Sequence, residues 1–232
     1  MHHPRLARCI QQLCWLSLLF LCSRPSNSLQ LSSIPPLIDA PTFSLSTRGK
    51  DRPHDTMNIL TYASPVSIQP CRMWSISLFK GTLSHENFAR ERRGVLQLLT
   101  PHQLYCRDSY KDDITPGALI RLLGSTSGRD MDKRLECEKL GYTWRELDFT
   151  DADSDAAIWP SVIPDCLYYL QLELQADMID CGSHEVALCR VVSMIADDSI
   201  EGSSAELDYL STRKLREIGI ISELGRIISA ER

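Results

Sequence analysis

Met73-Trp74-Ser75-Ile76-Ser77-Leu78-Phe79 alternates apolar with small polar residues, the period-two pattern of a strand with one buried face. Lys80-Gly81-Thr82 follows as a turn. Residues 84–93 then read as a short helix, with Ser84 as its N-cap, Glu86 in its first turn, Arg90, Arg92 and Arg93 in its last, and Gly94 as its stop. Residues 95–99 form the next strand. Upstream, residues 57–68 alternate in the same manner and are broken by Pro65, which suits an edge strand or a bulge.

Downstream, residues 101–147 are more helical. Thr115-Pro116 opens one segment, with Ala118, Leu119, Leu122 and Leu123 at helical spacing, and Ser125-Thr126-Ser127-Gly128 breaks it. Residues 130–140 form a second helix stopped by Gly141, and the acidic stretch 148–155 reads as a surface loop. Two long strands follow. Residues 168–177 alternate, while 185–195 are almost continuously apolar and suit a strand buried on both faces or within a barrel wall. Asp180-Cys181-Gly182-Ser183 joins them as a hairpin turn. Residues 206–221 read as an amphipathic helix carrying Leu207, Leu210, Leu215 and Ile218. The order is β-rich, helical, β-rich, then a terminal helix. This is a mainly β fold with helical additions (α+β), closer to one barrel than to a doubly wound sheet, in which strand and helix alternate throughout.

The N-terminal segment has another character. Arg5 and Arg8 precede the apolar run 13–22, the form of a signal sequence and too short for the roughly 20 residues that span a bilayer. A buried helix is the alternative. Residues 23–52 are rich in Ser and Pro, with Arg48, Lys50 and Arg52 near the end, and resemble a transit peptide that does not fold. Residues 1–52 are therefore expected to be a disordered leader and 53–232 the folded domain. The leader resembles a bipartite plastid-targeting sequence, with secretion as the alternative.

Of 232 residues, 43% are apolar and 24% charged, with a formal net charge of -5, and no basic stripe offers nucleic acid the clustered Lys and Arg that it needs. Outside the leader, Cys71, Cys106, Cys137, Cys166, Cys181 and Cys189 show no Cys-x-x-Cys spacing, so no zinc site is signalled. Cys166 and Cys189 sit in apolar runs, where a thiol behaves as a small core residue.

Three stretches can carry chemistry. Thr61-Tyr62-Ala63-Ser64-Pro65-Val66-Ser67 ends a strand in a run of small residues, leaving backbone N–H groups to face a planar heterocycle or turning a barrel corner. Lys80-Gly81-Thr82-Leu83-Ser84 gathers a cation, hydroxyls and a helix N-terminus, either for a phosphate or as a capped helix beside a solvated Lys. His184 starts a strand, where it can meet a cofactor or stay at the surface.

In this order the three stretches resemble the flavin reductase-like family, whose fold is the FMN-binding split β-barrel. The resemblance covers residues 57–195. It rests on a Ser-x-x-Pro step (Ser67-Ile68-Gln69-Pro70), a Lys-x-Thr turn before a helix (Lys80-Gly81-Thr82, then His85, Glu86 and Asn87) and a Gly-x-His turn (Gly182-Ser183-His184). It implies FMN, with the ring near Thr61, Tyr62, Ala63 and Ser64, the phosphate near Lys80, Thr82 and Ser84, and His184 near the ring. It also implies an oxidoreductase drawing on NADH or NADPH, and a homodimer. A split barrel that holds FMN, haem or a tetrapyrrole without turnover is the alternative. Ser183 stands where the family has Asp, and Cys71 where a second Pro is common. The insert between Leu104 and Trp144 is longer than the family pattern and is expected to cap the flavin or narrow the pocket.

Overall fold

The computed structural model describes residues 36–50, 55–105, 115–147, 159–196, 208–223 and 225–228. The chain divides at residue 38, and the unit Ile38–Arg232 carries every strand and helix described here. The apolar run 13–22, Cys106 and the acidic stretch 148–155 lie outside the described residues.

Eight strands form one antiparallel sheet: β1 Phe43–Thr47, β2 Thr56–Leu60, β3 Ala63–Ser67, β4 Met73–Phe79, β5 Arg93–Leu98, β6 Tyr168–Leu174, β7 Ile179–Cys181 and β8 His184–Ala196. The hydrogen-bonded order is β2-β1-β5-β6-β8-β4-β3, with β7 paired to β8. The two ends of this path, β2 and β3, are consecutive in the chain and separated only by Thr61 and Tyr62. The sheet therefore curls until its ends meet at a crossing of the chain rather than a ladder, which makes the barrel split. Pro65 lies in β3, the end strand, next to a register shift between Pro65 and Ser67. An edge position asks no ladder donor of a proline.

The leader boundary at residue 52 needs correction. Residues 43–47, Phe-Ser-Leu-Ser-Thr, are β1, completely buried between β2 and β5. Phe43 and Leu45 enter the barrel core, and Ser46 Oγ, buried like the rest of β1, donates to the Ser161 carbonyl at 2.5 Å. The Ser content that reads as transit-like is here the polar phase of a period-two strand.

Two apolar clusters hold the fold. Inside the barrel, Leu45, Ile76, Phe88, Leu96, Leu172 and Ala187 pack together. A second cluster lies against Met57 and Val95, built from the helical insert, residues 162–166 and the tail. The insert supplies α2 (Ala118–Ser125) and α3 (Lys133–Lys139), and the tail supplies α4 (Thr212–Glu217). Lys133 ties the insert to β2. It is 1% exposed, and Nζ donates to the carbonyls of Met57 and Leu123 at 2.9 and 2.7 Å and to Asn58 Oδ1 at 2.5 Å. Three acceptors match the three N–H of an ammonium.

Helix α1 spans Leu83–Glu91, and its N-cap is Thr82 rather than Ser84, with Thr82 Oγ1 accepting from the His85 N–H at 3.2 Å. Its C-cap is Arg92 in the left-handed region at φ 55°, not Gly94. Gly94 belongs to β5, where a Cβ would come within 3.0 Å of the Ser46 carbonyl and 3.1 Å of the Phe88 ring. It is a close-approach glycine between strand and helix. Of the two readings of strand β8, the barrel wall holds and burial on both faces does not: only Ala187 and Cys189 are buried, and Val192 and Met194 are each 42% exposed. Its outer face has no covering layer among the described residues. The tail helix is shorter than the apolar spacing predicts, because Ser211 caps it, with Oγ accepting from Lys214, and Gly219 ends it at φ +67°. The five described cysteines, Cys71, Cys137, Cys166, Cys181 and Cys189, are free thiols.

Candidate functional site

A cleft of about 620 Å³ opens where the chain crosses from β2 to β3. One side is made by Leu60, Thr61, Tyr62, Ser77, Phe79 and His184, the other by Gly124 of the insert and by Ile221, Gly225, Arg226 and Ile227 of the tail. The barrel positions the first side. The Ser77 N–H donates to the Tyr62 carbonyl at 2.9 Å, locking the crossing to β4, and Phe79 pairs in register with His184 across β4 and β8. The His184 ring meets Phe79 edge-on at 5.2 Å between centroids and Tyr62 at 5.9 Å. Ser183 Oγ lies 3.0 Å from His184 Nδ1 and fixes the imidazole orientation. Tyr62 and Phe79 remain 62% and 50% exposed, so the ring cluster faces the opening rather than the core. Exposed aromatic rings in a concave surface are the usual furniture of a site for a flat organic ligand.

A second group of sequence-predicted residues gathers at the start of α1. Lys80 Nζ donates to Asp180 Oδ2 at 2.6 Å, and this bond, joined by the Gly182 N–H, holds the Asp180 carboxyl below its ordinary range. His85 Nε2 lies 2.7 Å from Glu185 Oε2, so α1 is clipped twice to the β7–β8 hairpin. Arg129, from the loop between α2 and α3, pairs with Glu86 and donates to the Gly81 carbonyl. Thr82 Oγ1 is engaged with the Phe79 carbonyl and the His85 N–H. Ser84 is 2% exposed, and its Oγ has no hydrogen-bond partner among the described residues. Asn87 is buried, with Oδ1 accepting from Arg90.

The structure thus brings Thr61, Tyr62 and His184 together in the cleft, while Lys80, Thr82, Ser84, His85 and Asn87 form a separate charged and capped group around α1. Ala63, Ser64 and Ser67 continue along β3, where Ser67 Oγ donates to the Gln69 carbonyl at 2.8 Å. Ser77, Phe79, Gly124 and Arg226 were missed. A signal for Phe79 was present: it ends the Met73-Ser75-Ser77 phase of β4, the outward one, as a large ring among small polar residues. From the helical insert, Gly124 lines the cleft.

A flavin fits this arrangement. The volume falls within the roughly 300–1,000 Å³ of small-molecule and cofactor pockets, one side offers rings for a planar heterocycle, and Thr61 and Ser77 offer hydroxyls at its edge. Among the described residues no group of His, Cys, Asp and Glu is placed to hold a metal ion.

No family model matches the sequence, and no curated protein does. Solved structures do match the fold. Flavoredoxin from Methanosarcina acetivorans superposes with a TM-score of 0.56 at 14% identity, covering 80% of this chain and 86% of that one. An FMN-binding protein from Thermus thermophilus, solved with p-hydroxybenzaldehyde, gives 0.55 at 17% identity over 80% of this chain and 90% of that one. The NADH:FAD oxidoreductase of Streptomyces globisporus gives 0.50 at 12% identity over 70% and 78%. Superposition over most of each chain at so little sequence identity defines the architecture, and this chain has the split-barrel fold of flavin reductases and FMN-binding proteins.

Proposed function

We propose that this chain binds a flavin, FMN in the first place, in the cleft at the β2–β3 crossing, and works as an oxidoreductase taking hydride from NADH or NADPH. The observation that carries the reading is the cleft itself: about 620 Å³ beside the Tyr62, Phe79 and His184 rings, at the point where the barrel closes. The names of the structural neighbours support it, since they include an FMN-binding protein, a flavoredoxin and an NADH:FAD oxidoreductase. A bound flavin would supply the hydride chemistry. The protein's part is to bind, orient and exclude. Tyr62 and Phe79 would hold the ring system, Thr61 and Ser77 would offer hydroxyls to its polar edge, and His184, beside Ser183 Oγ, would stand near it. Gly124 and the tail would face it from the opposite side.

We also propose a homodimer. Val66, Ile68, Val192 and Met194 are exposed on the β3 and β8 side of the barrel, an apolar face suited to a second copy. Residues preceding Ile38 are proposed to be the targeting leader, for a plastid, and the leader ends before β1.

Titrating the full chain with FMN tests the central reading. Quenching of flavin fluorescence to a defined stoichiometry is expected, followed by bleaching of the visible flavin band on addition of NADH or NADPH. A chain that leaves FMN fluorescence unchanged at saturating protein overturns it. Binding without bleaching by either donor leaves a flavin carrier and removes the nicotinamide step.

A further inference from the structure

We infer that the C-terminal hairpin, residues 220–223 with 225–228, is the anion-recognising wall of the cleft, and that Arg226 pairs there with a phosphate group of a bound nucleotide. The inference deepens the flavin reading and rests on it.

The hairpin is a built element. Ile221 and Ile227 form an antiparallel bridge. The Ser222 N–H donates to the Arg226 carbonyl at 2.8 Å, and the Arg226 N–H donates to Ser222 Oγ at 3.2 Å. Gly225 makes the turn at φ +76°, a conformation that L side chains rarely adopt. Arg121 of α2 secures the hairpin from outside, donating to the carbonyls of Ile228 and Gly219 at 2.6 and 2.9 Å.

The insert is shaped to receive it. A Cβ at Gly117 would lie 2.0 Å from Ile220 Cδ1, and one at Gly124 would lie 2.0 Å from Ile227 Cδ1. Two glycines therefore give room for two isoleucines, and the tail docks in one place. Docking sets Arg226 in the cleft wall with Gly225 and Ile227.

The cleft is thus lined by a cluster of rings and by Arg226, an exposed residue whose guanidinium carries the charge. Rings receive a flat heterocycle, and the planar fork of a guanidinium matches the oxygens of a phosphate. Together they describe a nucleotide. Lys80, adjacent to Phe79, is already joined to Asp180, so it does not supply this charge without breaking that pair. The phosphate has two sources of the same chemistry, the flavin's own phosphate or the pyrophosphate of a nicotinamide donor.

Calorimetric titration of the full chain and of Arg226→Gln with FMN, riboflavin and ADP-ribose decides between them. If the flavin phosphate is the partner, Arg226→Gln weakens FMN about tenfold or more and leaves riboflavin unchanged, as expected for loss of a charge-assisted hydrogen bond. If the donor's pyrophosphate is the partner, ADP-ribose weakens by a similar factor and FMN does not. Arg226→Lys keeps the charge and restores part of the lost affinity. Unchanged binding of both FMN and ADP-ribose by Arg226→Gln overturns the inference, and so does an equal loss of riboflavin and FMN affinity, which would mark a damaged hairpin rather than a missing charge. A wild-type chain that ignores FMN and riboflavin but binds ADP-ribose through Arg226 sinks the flavin reading and leaves the anion wall standing.

Discussion

At the residue scale, Lys80 and Arg226 have different occupations. Lys80 is bound to Asp180 with side-chain exposures of 33% and 69%, whereas Arg226 lines the cleft. Water screens an exposed pair of this kind, so it adds little to stability. Lys80→Ala is therefore expected to leave the urea midpoint close to that of the unaltered chain, and to leave FMN affinity within threefold. A tenfold loss of FMN affinity would mean that the ligand breaks the Lys80–Asp180 pair and seats its phosphate at the Lys-x-Thr turn. Thr82 has a separate task. Its hydroxyl caps α1, so Thr82→Ala is expected to lower stability by about 1 kcal/mol, the usual value of such a cap, whether or not flavin is present. Equal stability of Thr82→Ala and wild type by thermal melting would refute that role. Lys80, Thr82 and His184 were legible in sequence because each is a conspicuous side chain at a turn. The partners of Lys80 and His85 were not, since Asp180 and Glu185 stand a hundred residues from them.

At the scale of elements, what could be read was whatever advertised itself by period. Strand β4 alternates cleanly and was found at its true bounds, and β6 and the β7–β8 turn were nearly so. Strand β1 was hidden by composition: Ser44, Ser46 and Thr47 read as part of a polar tract, although Phe43 and Leu45 between them point into the barrel. The tail was hidden by the opposite fault. Its apolar residues have helical spacing, but among the described residues only Thr212–Glu217 is helical, and residues 220–223 and 225–228 fold back as a hairpin on the insert. Glycines set both outcomes, since Gly219 ends the helix and Gly124 admits Ile227. Strand β1 supports a clear prediction. A chain beginning at Ile38 keeps β1 and is expected to show a cooperative thermal transition matching the full chain. A chain beginning at Pro53 loses the strand between β2 and β5, exposing two strand edges, and is expected to aggregate. A cooperative melt from the shorter chain would return β1 to the leader.

At the scale of the whole molecule, buried titratable groups give the fold a pH dependence whose sign can be worked out. Burial pushes the Lys133 ammonium from its ordinary 10.5 down to about 7. Between these values the unfolded chain holds a proton that the folded chain has released, so stability rises with pH from about 7 and the gain is lost as pH falls through 7. Burial acts oppositely on acids. It raises the thiols of Cys137 and Cys189 from 9 to about 11 and about 12, raises that of Cys166 further, and lifts the Tyr169 phenol from 10 to about 12. Above about 9 the unfolded thiols ionise while the folded ones keep their protons, so stability falls. The two trends cross to give a maximum between about pH 8 and 9. Urea midpoints are expected to rise from pH 7 to 8.5, with a limiting slope of about 1.4 kcal/mol per pH unit for one proton, and to decline beyond 9.5. Lys133→Met should abolish the rise and keep the decline, because it removes the amine and leaves the thiols in place. It should also lower stability throughout, since the Met57 and Leu123 carbonyls and Asn58 lose their donor, at roughly 1–3 kcal/mol for each group left unpaired. A wild-type midpoint that is flat from pH 7 to 8.5 would mean that the three acceptors hold the ammonium charged against its burial. The insert would then be fastened to β2 by a permanent charge rather than by one that titrates near neutrality.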